Sequence, residues 1–89
     1  MNTFIISYRL DPEAPYQGLM NRLKGYPNWA RLFQDVWIIK TRNTVRDVRD
    51  DLEDVIHGMG EIFVANITGS AWATYRVDKD LTNWIHENI

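Results

Sequence analysis

The stretch FIISYRLD, residues 4–11, decides how the fold of this chain is interpreted. Apolar residues recur at every second position, and a period of two is typical of a β-strand. One face of the predicted strand carries Phe4, Ile6, Tyr8 and Leu10, and the other carries Ile5, Ser7 and Arg9. Arg9 and Asp11 stand where the strand leaves the sheet, so this strand end is a candidate functional site.

Three helices are predicted, each from an apolar stripe at helical spacing. They cover residues 15–24, residues 44–58 and the segment from Asp78 to residue 89. The middle helix is the clearest, because Thr44 and Asp47 resemble a capping box at its start and Gly58 is suited to end it.

Further β-strands are predicted at VWIIKT, residues 36–41, and EIFVANIT, residues 61–68, which are rich in β-branched and aromatic residues. The segment NWARLFQD, residues 28–35, is compatible with a helical turn or with an irregular approach to the next strand. GSAWATYRV, residues 69–77, continues extended and suggests a short fourth strand. This order predicts an α+β sandwich of the ferredoxin-like βαββαβ type, with the helices on one face of the sheet.

Both faces of the predicted sheet carry apolar side chains. In residues 36–41, Trp37 and Ile39 alternate with Ile38, and residues 61–68 alternate in the same way. A sheet that is apolar on both faces needs two covers, and the helices supply one of them. In so short a chain we expect the second cover to be another copy, which predicts a homodimer packed through the open sheet face, with Arg9 near the interface.

Length and composition exclude several classes of protein. The 89 residues form a single domain, residues 1–89, and the absence of cysteine excludes disulfides and thiolate metal sites. No apolar run approaches the roughly 18 residues of a membrane span, and no secretory signal is visible. We therefore expect a cytoplasmic protein that does not bind a membrane. No P-loop, GxGxxG or HExxH motif is present, and no cofactor is predicted.

The charges are unevenly distributed along the chain. The net charge of −2 argues against unselective binding to phosphate backbones. Residues 1–45 nevertheless hold six Lys and Arg against three Asp and Glu, whereas residues 46–89 hold four against nine. This asymmetry is compatible with solvated helix faces or with a local basic site on an acidic body.

Five segments of the chain together resemble a known family. They are ISYRLD, YQGLMNRLKG, VWIIKT, VRDVRDDLEDVI and EIFVANITGSAW, within residues 3 to about 73. They resemble small bacterial and phage proteins related to the Cas-two family of CRISPR adaptation, especially its uncharacterised Cas-two-like branch, sometimes labelled SinR family. The resemblance implies a ferredoxin-like fold and a homodimer. Some members are metal-dependent nucleases that use an aspartate at the end of the first strand, one from each subunit.

Arg9 stands where the resemblance places that aspartate, directly after Tyr8. A guanidinium cannot ligate Mg²⁺, which takes oxygen ligands, but it can bind phosphate through two parallel hydrogen bonds. Asp11, next to Pro12, is a catalytic or metal-binding carboxylate only if the chain is a nuclease. One alternative is that Arg9 and Asp11 form a local ion pair or only a solvated strand end. Another is a pair of arginines across a twofold axis that binds a phosphate-bearing ligand.

The candidate ligand-binding residues are Ser7, Arg9, Trp72, Tyr75 and Arg76. The last three belong to GSAWATYR, residues 69–76, where aromatic rings beside an arginine can stack on a base and hold its phosphate. The alternative for this segment is an edge strand that packs on the dimer partner.

Three hypotheses about function follow from these residues. The first is a non-catalytic Cas-two-like homodimer that binds a nucleotide or nucleic acid; one form of it is a phage counter-defence protein that sequesters a nucleotide signal. The second is a metal-dependent endoribonuclease of the toxin type, which Arg9 disfavours. The third is a scaffold or protein-binding dimer with no nucleic-acid ligand.

Overall fold

The computed structural model describes all 89 residues as a four-stranded antiparallel sheet with three helices. The elements are β1 (Asn2–Leu10), α1 (Tyr16–Lys24), β2 (Asn28–Phe33), β3 (Val36–Thr41), α2 (Val45–Ile56), β4 (Gly60–Asn66) and α3 (Lys79–Asn88). The strands lie in the order β2-β3-β1-β4. This order and the βαββαβ succession of the first six elements are compatible with a ferredoxin-like fold. None of the three helices combines the length and the apolar character that crossing a bilayer requires.

Two segments differ from their predicted structure. Residues 28–33 form β2, a strand that pairs with β3 and brings Trp29 opposite Ile39. Its alternation is hard to recognise in the sequence, because an irregularity between Arg31 and Phe33 interrupts the register. Residues 69–77 form no strand, so the suggestion of a fourth strand there is wrong. Most of these residues are exposed, and Trp72 packs against His86 of α3 instead of joining the sheet.

The main core lies between one face of the sheet and helices α1 and α2. Phe4, Ile6 and Tyr8 of β1 are buried there, as their alternation predicts. The other members of this core are Leu19, Met20, Leu23, Tyr26, Trp37, Ile39, Val48, Leu52 and Ile56. Because β1 is a central strand with neighbours on both sides, its alternation fixes which residues of β3 and β4 face the same helices.

Helix α2 begins after Thr44, as predicted, and its last residue is Ile56, two positions before Gly58. The Thr44 hydroxyl accepts a hydrogen bond from the Asp47 amide at 3.0 Å, and the Asp47 carboxylate accepts one from the Thr44 amide at 3.3 Å, so the capping box is confirmed. The residue that leaves the helix is His57, with φ of 51°, followed by Gly58 with φ of 77°. Two successive left-handed residues make this turn, and glycine adopts that conformation without a Cβ clash.

The second face of the sheet is covered in part by α3. The Thr3 side chain projects from this face and its hydroxyl donates to the carbonyl oxygen of Asn88, in the last turn of α3. Ala30 and Ile38, on the same face, are buried although they lie outside the main core, and Ile85 of α3 is buried as well. The prediction that all helices lie on one face of the sheet is therefore wrong. Helices α1 and α2 cover the first face, and α3 covers one end of the second.

Tyr26, two residues after the end of α1, is linked to α2 through its partly buried hydroxyl. This hydroxyl donates to the Asp51 carboxylate at 2.7 Å, and the Arg22 guanidinium contacts the same carboxylate. Burial raises the pKa of Tyr26 above its usual value, and the nearby Asp51 carboxylate raises it further.

We expect the free energy of unfolding to fall above about pH 10, where tyrosine ionises in an unfolded chain. Below that pH Tyr26 is protonated in both states. Above it the unfolded state releases the proton while the folded state keeps it, so each further pH unit costs about 1.4 kcal/mol until the raised folded pKa is reached. Urea denaturation between about pH 8 and pH 11 tests this. The Tyr26→Phe variant should lose less stability over the same range, and equal losses in both proteins would contradict the prediction.

Candidate functional site

Arg9 forms an ion pair with Glu61 on the neighbouring strand. The two residues are direct partners in the β1–β4 register, and the Arg9 Nε donates to Glu61 Oε1 at 2.7 Å. Both side chains are largely exposed, at 82% and 70%. Exposed pairs of this kind contribute little to stability, about 1 kcal/mol at most. Of the alternatives for Arg9, the structure therefore shows an ion pair at a solvated strand end, with Glu61 as the partner instead of Asp11.

The second sheet face remains open beside Arg9. The register places Phe33, Val36, Ser7 and Phe63 in one row across all four strands, on the side away from α1 and α2. Phe33 and Phe63, at the two ends of this row, are 56% and 63% exposed. Ser7 and Arg9 share a shallow depression with Glu61 and Phe63. Two of the predicted ligand-binding residues thus lie together on an apolar surface with a charged rim.

Asp11 lies outside this face, in a cleft of about 390 Å³ between the end of β1 and the β2–β3 turn. The cleft also holds Asp35, Gln34 and Tyr16, and Arg9 reaches its edge. The Asp11 amide donates to the Met59 carbonyl at 2.9 Å, which fixes the backbone where β1 ends. The cleft offers two carboxylates, and no group of three or more His, Asp or Glu side chains is placed to share a metal ion.

A hydrogen-bond network behind this cleft fixes the β2–β3 turn. The buried Tyr8 hydroxyl accepts from Trp37 Nε1 at 3.0 Å and donates to the Gln34 carbonyl at 3.1 Å. Arg31 donates to the same carbonyl through Nη2 at 2.8 Å and to the Tyr16 hydroxyl at 2.5 Å. Burial raises the pKa of Tyr8, so its hydroxyl remains protonated and able to donate further into the alkaline range than an exposed tyrosine. Every buried side-chain nitrogen and oxygen of the chain has a hydrogen-bond partner. For the indole N–H of Trp37 that partner is the Tyr8 hydroxyl.

We expect Tyr8→Phe to lower the free energy of unfolding by about 1–3 kcal/mol, because it leaves the indole N–H of Trp37 buried without an acceptor. Urea denaturation measures the change. Tyr75→Phe is the matched control: this hydroxyl belongs to a ring that is 86% exposed, so its removal should change stability by less than about 0.5 kcal/mol. Equal effects of the two substitutions would show that the buried hydroxyl is not important for stability.

The remaining predicted ligand-binding residues lie in a different part of the chain. Trp72 packs edge-on against His86 of α3, with ring centroids 5.2 Å apart. Tyr75 and Arg76 are exposed, and Arg76 has φ of 58°. The C-terminal turn of α3 is held at Thr3, which lies six residues, or about 20 Å of extended strand, from Arg9. Trp72 is therefore anchored toward the opposite end of β1, and none of these three residues lines either depression at Arg9.

A surface of aromatic rings and cations beside the edge strand β2 was not predicted from the sequence. The Trp29 ring packs against buried Trp37 at 5.3 Å, the Lys24 ammonium lies 6.0 Å from the Trp29 ring, and the Arg31 guanidinium lies 5.5 Å from the Trp37 ring. Tyr16 completes it by accepting the hydrogen bond from Arg31. We call these four residues, Tyr16, Lys24, Trp29 and Arg31, the Trp29 surface. The signal that could have revealed it is the alternation of Trp29 and Arg31, which places both on one side of a strand.

Comparisons with protein-family models, with curated proteins and with solved structures give no match for this chain. The resemblance to the Cas-two family therefore enters only as part of a proposal.

Proposed function

We propose that this chain acts as a non-catalytic homodimer that binds a nucleotide or a single-stranded nucleic acid, in the manner of a Cas-two-like protein. The dimer is inferred from the open row on the second sheet face, which consists of Phe33, Val36, Ser7 and Phe63. Two phenylalanine side chains that are more than half exposed on a flat sheet face form an apolar surface with no cover in a single copy. Burial of such area stabilises an assembly by about 25 cal/mol for each Å².

A second copy is the partner that fits the charges at the edge of this row. Arg9 and Glu61 are neighbours of opposite charge on the same rim. A twofold interface brings the same surface of both copies together, so Arg9 of each copy can pair with Glu61 of the other where the axis passes between these two residues. The rim therefore supports self-association and gives it an orientation.

The ion pair also bears on how Arg9 could bind an anion. A phosphate group that approaches Arg9 must compete with the Glu61 carboxylate, which already accepts from the guanidinium and repels the phosphate. This supports a role for Arg9 in the dimer rim and weakens the hypothesis of paired arginines around a phosphate. The scaffold hypothesis gains from the same observation and is the second candidate function. A counter-defence role, by sequestering a nucleotide signal, is one form of the first.

The non-catalytic part of the proposal is supported by the position of the acidic side chains. Arg9 occupies the strand position where the resemblance places a metal-binding aspartate. Asp11 lies beyond the strand, beside Pro12, and its nearest carboxylate neighbour in the cleft is Asp35. Mg²⁺ is usually held by one or two carboxylates together with substrate phosphates, so this cleft is the place where the nuclease alternative would have to act.

We expect the wild-type protein to be a dimer at tens of micromolar and Phe63→Asp to be a monomer, because the substitution places an unpaired carboxylate in the interface. Light scattering with size-exclusion chromatography measures both. Tyr75→Asp is the control, since it changes an equally exposed ring outside the sheet in the same way. A wild-type monomer, with the fold intact by circular dichroism, would overturn the proposed dimer.

We expect no Mg²⁺- or Mn²⁺-dependent cleavage of RNA or DNA, because Arg9 cannot ligate either ion. The assay follows end-labelled oligonucleotides with and without a chelator, for the wild type, Asp11→Ala and the exposed control Asp54→Ala. Metal-dependent cleavage that Asp11→Ala alone abolishes would establish the nuclease alternative. The catalytic carboxylate would then lie two residues beyond the expected position.

A further inference from the structure

We propose that the Trp29 surface is where this protein binds its ligand, a nucleobase that carries a phosphate, either as a free nucleotide or within a single strand. The inference rests on the proposed function and assigns a site for it. It places the ligand on the outer edge of β2 instead of at Arg9 or at residues 72–76.

Trp29 supplies a rigid platform for stacking. Trp29 is 37% exposed, and its ring packs on that of Trp37, which is fully buried in the main core. Because the supporting ring cannot move, Trp29 loses little conformational freedom when a flat partner lies on it. A base can stack on such a ring whatever its sequence, because every base has a π-face.

Two cations lie beside the platform and have no carboxylate partner. The ion pairs of the chain involve Arg9, Arg22 and Arg49, and neither Lys24 nor Arg31 is among them. Lys24 is exposed and its ammonium lies near the Trp29 ring. A base that stacks on the ring displaces this ammonium, which is then free to meet the phosphate.

Arg31 is held in a fixed position with part of its guanidinium unused. Its Nε and Nη2 donate to the Gln34 carbonyl and the Tyr16 hydroxyl, whereas Nη1 makes no hydrogen bond within the chain. A phosphate at Nη1 therefore gains a charge-assisted hydrogen bond without breaking an existing ion pair, in contrast to a phosphate at Arg9. Trp29 and Arg31 are two residues apart on one side of a strand, so their Cα atoms are about 7 Å apart.

The test measures binding of fluorescently labelled single-stranded RNA and DNA, each about a dozen nucleotides long, by fluorescence anisotropy. Competition with adenosine monophosphate, adenosine, inorganic phosphate and a duplex of the same length distinguishes the forms of the ligand. Trp29→Ala should weaken binding by about tenfold or more, and Trp29→Phe should restore most of it. Lys24→Glu should weaken binding and make it less salt-dependent, with the logarithmic slope changed by about 0.7 for one lost phosphate contact.

The matched controls are Trp72→Ala and Lys79→Glu, which change the same residue types away from the surface. Losses confined to Trp29 and Lys24 support the inference, as does competition by adenosine monophosphate but not by adenosine or phosphate alone. If the wild type binds and Arg9→Ala or Trp72→Ala abolishes binding while Trp29→Ala does not, the site is wrong and the proposed function stands. Preference for the duplex overturns the stacking site. If the wild type binds none of these probes, the proposed ligand class fails and the site fails with it.

Discussion

The sheet carries apolar side chains on both of its faces, and an 89-residue chain has limited means to cover both. The first face receives α1 and α2 and encloses the main core. The second face receives only α3, which buries Ala30 and Ile38 and leaves Phe33 and Phe63 exposed. The open row is therefore a consequence of how the helices are distributed. The third helix covers one end of this face and leaves the other end exposed to solvent.

The polar groups show a second division, between those that hold the fold and those that remain free for a ligand. Tyr8, Trp37, Tyr26 and Asp51 have their hydrogen bonds satisfied inside the chain, and Arg9 is neutralised by Glu61. Lys24 has no such partner, and Arg31 has only a partial set. A basic side chain is thus more or less able to bind an anion depending on whether its neighbours in the fold include a carboxylate.

The sequence was sufficient to predict β1, the three helices, β3, β4 and the α+β class, because each of these has clear periodicity or capping residues. It failed at residues 28–35, where an irregular register obscures β2, and at residues 69–77, where an extended pattern without pairing was taken for a strand. Trp29 and Arg31 lie in the first of these segments, and three of the predicted ligand-binding residues, Trp72, Tyr75 and Arg76, lie in the second. Alternation correctly placed Ser7 and Arg9 on one face of the strand. The pairing of Arg9 with Glu61 could not be predicted in this way, because the two residues are 52 positions apart in the chain and no local pattern connects them. The Trp29 surface was missed because its platform depends on Trp37, which contacts Trp29 only once β2 and β3 are paired.

The contacts of Thr3 have a consequence for the order in which the fold can assemble. Its hydroxyl donates a hydrogen bond to the carbonyl oxygen of Asn88, 85 residues away in the chain. Its amide donates a second hydrogen bond to the hydroxyl oxygen of Thr68. Once β1 and β4 are paired, Thr68 is already at Thr3, and the segment that must still close to bring Asn88 into place is about 20 residues long. Loop-closure entropy rises with the logarithm of loop length, so prior pairing of the sheet lowers the cost of docking α3. The hydrogen bonds therefore favour a sequence of events in which the sheet forms first and the third helix docks onto it afterwards.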